Sequence, residues 1–232
     1  MVWKIPRIWE GGECWIIGGG PSFPRQFGVP EELITEVITG KKPLDSFSSY
    51  FSFLHDKHVI GVNAAFLLGK WVDILFFGDR GFYFKNRREI IQWGNIRVTC
   101  SKPLRETAEK ERLKYIPKDG NTPKGISSRT NFISWNGNSG AAAINLAVHF
   151  GVKKIYLLGF DMDLGVDNKQ HWHGVYKTSK APLKPHKLPF ERHLQGFPKI
   201  AQDAKRLGID IINVSPNSKI QDFKKVSLKE LL

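Results

Sequence analysis

Short runs of apolar residues recur along the chain, and most of them are followed directly by glycine or a polar residue. Such runs, bounded by turn residues, are typical of buried strands. The pattern predicts strands over residues 14–17, 59–62, 74–77, 96–99, 115–116, 155–158 and 209–214. Apolar residues at helical spacing between these runs predict helices over residues 31–39, 84–93, 105–112, 140–150 and 199–207.

The predicted strands alternate with helices, and their apolar runs are continuous. Continuous runs indicate burial on both faces, as in a parallel sheet between two helix layers. The sequence therefore predicts an α/β fold with a Rossmann-like, doubly wound, mainly parallel sheet and helices on both faces. We expect a single domain over residues 1–232, because this length is sufficient for one large α/β domain and short for two. Residues 120–138 fit no element, and residues 165–189 are predicted to form a long, lid-like loop.

The composition limits the kinds of binding partner and the cellular compartment that we expect for this protein. The chain has 35 Lys and Arg against 22 Asp and Glu, a net charge of +13, which favours anionic partners such as nucleotides, nucleic acid or an anionic membrane surface. Cys14 and Cys100 lie in or beside predicted strands, so no disulfide framework is indicated. No apolar run has the length of a signal peptide or a membrane span. We expect a cytoplasmic protein, with peripheral attachment to the inner membrane face as an alternative.

A glycine-rich turn follows the first predicted strand and consists of Gly18, Gly19, Gly20, Pro21 and Ser22. Without side chains, the backbone N–H groups of such a turn can approach an anionic ligand closely. Ligands of doubly wound sheets bind beyond the carboxyl ends of the strands, which is where this turn lies. Its spacing matches neither a dinucleotide fingerprint nor a P-loop, and the alternative is a tight turn that needs a positive φ.

Further polar groups follow other predicted strands or open a helix. Asn63 follows the second strand, and Gly78 and Asp79 follow the third. Ser139 and Gly140 begin a helix, whose free N–H groups and positive dipole end can hold a phosphate. Asn, Asp and Ser are also favoured helix caps, so each residue alone has a simpler explanation. Their convergence at the strand ends favours a nucleotide site.

Carboxylates and imidazoles follow the sixth predicted strand. Asp161 and Asp163 lie two residues apart, and such a pair can share a divalent cation such as Mg²⁺ that bridges nucleotide phosphates. His171 and His173 lie in the loop beyond them, where an imidazole can act as a general base near neutral pH or bind a metal. We expect the two pairs to serve the same site.

Together these motifs resemble the bacterial sialyltransferase family that includes the Campylobacter lipooligosaccharide enzymes. They resemble more distantly the flagellin-glycosylation and pterin-pyrophosphokinase-like proteins with the same nucleotide-binding core. The resemblance covers residues 138–218, with a Ser-Gly helix start, a Gly-Phe-Asp segment at 159–161 and Ser-Pro-Asn-Ser at 215–218. Its N-terminal part covers residues 16–22 and Asn63.

The resemblance implies a nucleotide-sugar donor, with a CMP-sugar favoured, and a glycan or other hydroxyl-bearing acceptor. By resemblance, the residues that hold the nucleotide are Gly20, Pro21, Ser22, Asn63, Ser139 and Gly140, with Asn217 and Ser218 flanking the pocket. His171 or His173 would be the general base of an inverting transfer. Gly19 stands where the family has Asn, and Asp163 stands where a tyrosine assists departure of the phosphate, so Tyr176 is the substitute we consider.

Two other functions fit the same residues. The first is a magnesium-dependent diphosphotransferase that acts on a pterin-like molecule, with Asp79, Asp161 and Asp163 holding the metal and triphosphate. The second is a nucleic-acid-binding protein, or a transferase that modifies bases of viral DNA. Its contact would be the basic tract 177–193, which includes Lys180, Lys184, Lys187 and Arg192.

Overall fold

The computed structural model describes residues 2–120, 124–165, 168–175 and 188–232. One eight-stranded sheet runs through this part of the chain. Its strands are β1 (Glu13–Ile17), β2 (Val59–Val62), β3 (Ile74–Phe77), β4 (Ile96–Thr99), β5 (Lys114–Tyr115), β6 (Lys154–Leu158), β7 (Asp210–Asn213) and β8 (Lys224–Lys225). The order across the sheet is β5-β4-β3-β2-β1-β6-β7-β8, and every neighbouring pair is parallel.

Helices connect most of the strands. The α-helices are α1 (Ser22–Gln26), α2 (Glu31–Ile38), α3 (Arg80–Lys85), α4 (Arg87–Trp93), α5 (Arg105–Lys110), α6 (Ser139–His149), α7 (Phe190–Leu194) and α8 (Phe197–Leu207). Short 3-10 helices occupy Ser48–Leu54, Asn63–Leu68, Lys102–Leu104 and Leu228–Glu230.

The sheet separates two hydrophobic cores, because successive side chains of a strand point to opposite faces. In β1, Trp15 and Ile17 pack with residues of α2 to α5 on one face. Cys14 and Ile16 pack with residues of α6 and α8 on the other face. The predicted doubly wound α/β fold with helices on both faces is therefore confirmed.

Helix α6 lies close to the sheet because its buried face consists largely of small side chains. Ala141, Ala142, Ala143 and Ala147 are all buried. Small side chains allow a helix axis to approach a sheet closely. This packing brings the N-terminus of α6 beside the carboxyl ends of the central strands.

The predicted strands are all present, with small differences at their ends. The predicted helix over residues 84–93 is wrong in its extent, because the structure has two helices that meet at Asn86. Asn86 has φ −115° and ψ 21°, which is not helical backbone. The sequence patterns missed the short elements α1, α7 and β8. Most of the predicted lid over residues 165–189 lies outside the described residues, and the assignment of the chain to one domain stays a prediction.

The connections between strands create a reversal point at the centre of the sheet. From β1 the chain adds β2 to β5 on one side, then returns to place β6 to β8 on the other. In sheets of this kind a crevice opens outside the carboxyl ends of the strands where the winding reverses. The crevice therefore lies between β1 and β6. No described helix has the length and apolar character needed to cross a membrane.

Candidate functional site

A cleft of about 660 Å³ lies at the carboxyl ends of the strands, over the crevice between β1 and β6. Most of the predicted site residues line it: Gly18, Gly19, Gly20, Asn63, Gly78, Asp79, Ser139, Gly140, Asp161, Asp163, His171 and His173. Residues far apart in the sequence thus meet at one place, as the strand-end pattern predicted.

The glycine turn after β1 is packed against the turn after β6. The N–H of Gly20 donates to the carbonyl of Gly159 at 2.8 Å. A Cβ atom on residue 20 would lie 1.8 Å from Oδ2 of Asp161 and 2.6 Å from the Gly159 oxygen. None of Gly18, Gly19 and Gly20 has a positive φ. These glycines are therefore required by close approach of two backbone segments, which corrects the alternative of a turn that needs a positive φ.

The loop that carries His171 and His173 packs against the glycine turn. The backbone N–H of Trp172 donates to the Gly19 oxygen at 3.0 Å, and its indole Nε1 donates to the Gly18 oxygen at 3.2 Å. A Cβ atom on residue 19 would lie 2.9 Å from Nδ1 of His171 and 3.4 Å from Nε2 of His173. The two imidazoles thus occupy the space that a longer side chain at position 19 would need.

The imidazoles of His171 and His173 stack with their ring centres 5.1 Å apart and their planes 5° apart. Burial lowers the pKa of His171 to about 4, although its hydrogen bond with the Gly19 backbone opposes this. Burial lowers the pKa of His173 well below its usual value, and the neighbouring His171 lowers it further. Both rings are therefore neutral at pH 7, and their proton affinity is lower than the sequence predicted.

Asn63 ends β2 in an unusual backbone conformation. Its φ is 53°, in the left-handed region that side chains other than Gly, Asn and Asp seldom adopt. Its side-chain oxygen is buried and has no hydrogen-bond partner within the described part of the chain. An unsatisfied buried oxygen at a cleft is characteristic of a ligand site.

The N-terminus of α6 faces the cleft through Ser139 and Gly140. The N-cap is Asn138, whose side-chain oxygen accepts from the N–H of Ala141 at 2.8 Å. Its Nδ2 donates to the carbonyl of His193 at 3.1 Å, which ties α7 to the start of α6. Ser139 is thus the first helical residue and leaves the capping role to Asn138.

Two predicted residues near β3 have structural roles as well as a place in the cleft. Asp79 is the N-cap of α3, and its Oδ1 accepts from the N–H of Phe82 at 2.6 Å. A Cβ atom on residue 78 would lie 2.3 Å from Cζ3 of Trp135, so Gly78 makes room for that indole.

The two carboxylates after β6 both have partners in the protein. Asp161 accepts from the backbone N–H of Ser22 at 3.3 Å, and burial raises the pKa of its carboxyl group. Asp163 forms a salt bridge of 3.3 Å with Lys219. Among the described residues, no three His, Cys, Asp or Glu side chains are grouped to hold a metal ion. The magnesium site at Asp161 and Asp163 stays a prediction.

Four predicted residues do not line the cleft in the described structure. Pro21 precedes α1, and Ser22 braces the turn through Asp161 and through Ser215 Oγ at 3.4 Å. Ser218 Oγ donates to the Phe160 carbonyl at 2.6 Å and so supports the loop after β6. Asn217 is exposed. Tyr176 lies outside the described residues.

The cleft also contains residues that the sequence analysis did not single out as its lining: Lys118, Trp135, Phe190, Arg192 and His193. Burial lowers the pKa of His193 to about 4, and the Arg192 guanidinium lowers it as well. Arg192 and His193 belong to the predicted basic tract, so its charge was a usable signal. Trp135 and Lys118 gave no signal, because they lie in or near a stretch without a recognisable pattern.

Comparisons with known proteins identify the fold but no sequence family. No family model matches the sequence, and no curated protein matches it significantly. The structure is similar to the MAf glycosyltransferase from Magnetospirillum magneticum AMB-1, with a TM-score of 0.59 and 11% identity. That alignment covers 100% of this chain and 36% of the other, so this chain spans about a third of the neighbour's length.

Two structures of the sialyltransferase CstII from Campylobacter jejuni also match, one with cytidine-5'-monophosphate and one with CMP-3FNeuAc. Both are 14% identical, and their TM-scores are 0.46 and 0.47. They cover 93% of this chain and 84% and 86% of theirs. The structural neighbours are thus glycosyltransferases, and at these identities the likeness establishes the α/β fold.

Proposed function

We propose that the protein is an inverting glycosyltransferase that uses a nucleotide-sugar donor. The observation that carries the proposal is the meeting of the glycine turn, Asn63 and the first turn of α6 around one cleft. One phosphate-bearing ligand accounts for all three. The fold that this chain shares with the MAf glycosyltransferase supports the same class of reaction.

In this proposal the donor phosphate lies between the glycine turn and the start of α6. The N–H groups of Gly18 and Gly20 donate to the carbonyls of Leu158 and Gly159, so the donors proposed for the phosphate are the N–H of Gly19 and the first N–H groups of α6. With the positive end of the α6 dipole, they would stabilise the negative charge that grows on the phosphate as the sugar leaves. The unsatisfied oxygen of Asn63 would accept a hydrogen bond from the donor. A CMP-sugar is the favoured donor because of the sequence resemblance over residues 16–22 and 138–218.

A cleft imidazole would act as the general base. It would take the proton from the acceptor hydroxyl as that oxygen attacks the anomeric carbon and the bond from carbon to phosphate oxygen breaks. His171 is the first choice because it is less buried than His173 and lies against Gly19, and His193 is the second. A neutral imidazole is ready to accept a proton, and the charge of a bound phosphate would raise its low pKa. Tyr176 remains our prediction for assisting departure of the phosphate.

Nucleotide binding is the first test. Thermal unfolding of the protein is measured with CMP, UDP, GDP and ATP, each with and without magnesium. A bound nucleotide stabilises the native state by mass action, so we expect the largest rise in Tm with CMP. Absence of any shift contradicts the proposal, and a shift that requires magnesium supports the predicted site at Asp161 and Asp163.

Turnover of the donor is the second test. Hydrolysis or transfer of a CMP-sugar is measured in His171→Ala, His173→Ala and His193→Ala, with His55→Ala as a control at an exposed histidine outside the cleft. Loss of a general base lowers the rate by roughly 100-fold or more. We expect that loss in one cleft variant and none in the control. Full activity in all three cleft variants contradicts the proposed base.

The second candidate is the magnesium-dependent diphosphotransferase. The observation in its favour is that Asp79, Asp161 and Asp163 all line the cleft. It predicts ATP consumption that requires magnesium and yields AMP. The nucleic-acid alternative predicts binding that weakens steeply with added salt. Much of its basic tract lies outside the described residues, so the same salt titration on the whole chain decides it.

A further inference from the structure

The cleft contains a lysine and a tryptophan that the donor site does not use. The ammonium nitrogen of Lys118 lies 3.3 Å from the centre of the Trp135 ring system, at its face. An ammonium group in this position is attracted by the negative face of the indole. Both residues line the cleft. The contact fixes a positive charge at one place in the cleft.

Backbone contacts hold the two residues together. Lys118 forms an isolated parallel bridge with Ile133, and the N–H of Ile133 donates to the carbonyl of Pro117 at 2.9 Å. The N–H of Trp135 donates to Oδ1 of Asp119 at 2.8 Å. The indole in turn fills the space above Gly78. The pair is thus built into the fold rather than placed by chance on a surface.

The pair lies away from the glycine turn. Gly78, which the Trp135 indole covers, follows β3, and β3 is two strands from β1; because neighbouring strands are about 4.8 Å apart, Gly78 lies roughly 10 Å from β1 across the sheet. Lys118 follows β5, on the same side of the sheet. The cleft thus extends well beyond the glycine turn, and its Lys118 end is available to a further group of the ligands.

Within the described residues, no carboxylate neutralises the charge of Lys118. In the described ranges of the chain its recorded side-chain contact is the indole, and no carboxylate forms a salt bridge with it. An indole face attracts the ammonium group but leaves its N–H donors available to a ligand. A lysine held in this way, inside a cleft, suits an anionic group of a ligand.

We propose that Lys118, positioned by Trp135, binds a carboxylate or phosphate carried by the acceptor sugar. The inference therefore assigns an anionic sugar as the class of acceptor. It rests on the proposed function, because only a glycosyltransferase has an acceptor sugar. In the proposed function the donor phosphate would lie at the other end of the cleft, so Lys118 would add preference for the acceptor without contributing to nucleotide binding.

The test uses the whole chain and three probes: glucose, glucuronic acid and glucose 6-phosphate. Binding is followed by calorimetry and by the change in tryptophan fluorescence, with and without saturating CMP. The variants are Lys118→Gln and Lys118→Arg. Lys114→Gln is the matched control, because Lys114 also lies over an indole, that of Trp3, but outside the cleft.

We expect the unaltered protein to bind at least one anionic sugar about tenfold more tightly than glucose, the size of effect that a charge-assisted hydrogen bond gives. Lys118→Gln should abolish that preference, whereas Lys118→Arg and Lys114→Gln should keep it. Preference for glucuronic acid or for glucose 6-phosphate identifies the anionic group as carboxylate or phosphate.

Three results overturn the inference. They are equal binding of all three sugars, no response of the unaltered protein to either anionic sugar, and loss of CMP binding in Lys118→Gln by the same factor as loss of sugar binding. Failure of the proposed function has a different signature, in which no nucleotide shifts Tm. A Lys118-dependent preference in that case leaves the anionic-sugar site standing and removes the transferase.

Discussion

Backbone atoms line one end of the cleft, and side chains line the other. At the β1–β6 end, backbone segments approach so closely that a Cβ atom at residue 20 would lie 1.8 Å from Asp161. At the β3–β5 end, the side chain of Trp135 occupies the space over Gly78, and the ammonium group of Lys118 lies over the Trp135 ring. A backbone surface suits the group that all donors share, a phosphate. A side-chain surface can vary, so it suits the selection of the acceptor.

The largest effect is expected from a side chain at the backbone end. Gly20→Ala places a methyl group against Asp161 and the Gly159 carbonyl, so the turn or the loop after β6 must shift. We expect loss of measurable nucleotide binding and a decrease of about 1–3 kcal/mol in the free energy of unfolding. Nucleotide titration and urea unfolding measure the two effects. Gly120→Ala is the control, because a Cβ atom there meets nothing within 4 Å. Unchanged nucleotide affinity in Gly20→Ala contradicts the backbone site.

A second substitution distinguishes the contribution of the glycine turn to nucleotide binding from the contribution of the histidines to turnover. Gly19→Asn introduces a side chain into the space that His171 and His173 occupy, so the imidazoles must move. Turnover should fall by roughly 100-fold, the usual contribution of a general base, while nucleotide binding changes much less. Comparing kcat with the Kd for CMP tests this. Equal losses in both would mean that the histidine loop supports the nucleotide site itself.

Asn63 lies between the two ends of the cleft. Two substitutions there compare the effect of losing its side chain with the effect of straining its backbone. Asn63→Gly keeps the left-handed backbone and removes the amide, so we expect little change in stability and about tenfold weaker nucleotide binding. Asn63→Ala should bind as weakly and also lose roughly 1–2 kcal/mol of stability, because alanine is strained at a φ of 53°. Unfolding and CMP titration of both variants are the measurement. Full CMP affinity in Asn63→Gly would remove this residue from the site.

The last expected effect is a dependence of stability on pH. The pKa of His171 is about 4 in the folded protein and about 6.5 in an unfolded chain. Between these values the unfolded chain binds more protons, so stability decreases as the pH falls from about 6.5 to 4. His171→Gln should reduce this slope in urea unfolding at several pH values, and the slope that remains comes from the other buried imidazoles, His173 and His193. His55→Gln is the control, and an unchanged slope in His171→Gln contradicts the burial of a neutral imidazole.

The parts of the fold that sequence predicted are those in which local pattern and tertiary structure agree. The central strands are continuous apolar runs ending at Gly18, Asn63, Gly78 and Gly159, and all were found. The helix over residues 84–93 was predicted as continuous, but it divides at Asn86. The buried Asn86 side chain donates to the Phe82 carbonyl and competes with the helical hydrogen bonds. Elements as short as α1 and β8 contain too few residues for a period to be recognised.

In the candidate site, too, the residues that could be predicted are those whose role follows from a local sequence pattern. Glycines and polar residues directly after strands were recognisable, because the parallel sheet brings strand ends together. Ser22 and Ser218 are also polar residues that follow strands. Their side chains, however, form hydrogen bonds with neighbouring loops and support the site without lining it. Lys118 and Trp135 were not recognisable, because their contact depends on a long-range pairing between residues near 118 and 133.

The position of the bound phosphate tests the central claim most directly. A crystal structure of the complex with the nucleotide that raises Tm most would locate it. We predict a phosphate oxygen within hydrogen-bond distance of the backbone N–H of Gly19 or of N–H groups in the first turn of α6. A nucleotide whose phosphate lies on Lys118 at the opposite end of the cleft, or outside the cleft altogether, would contradict the account.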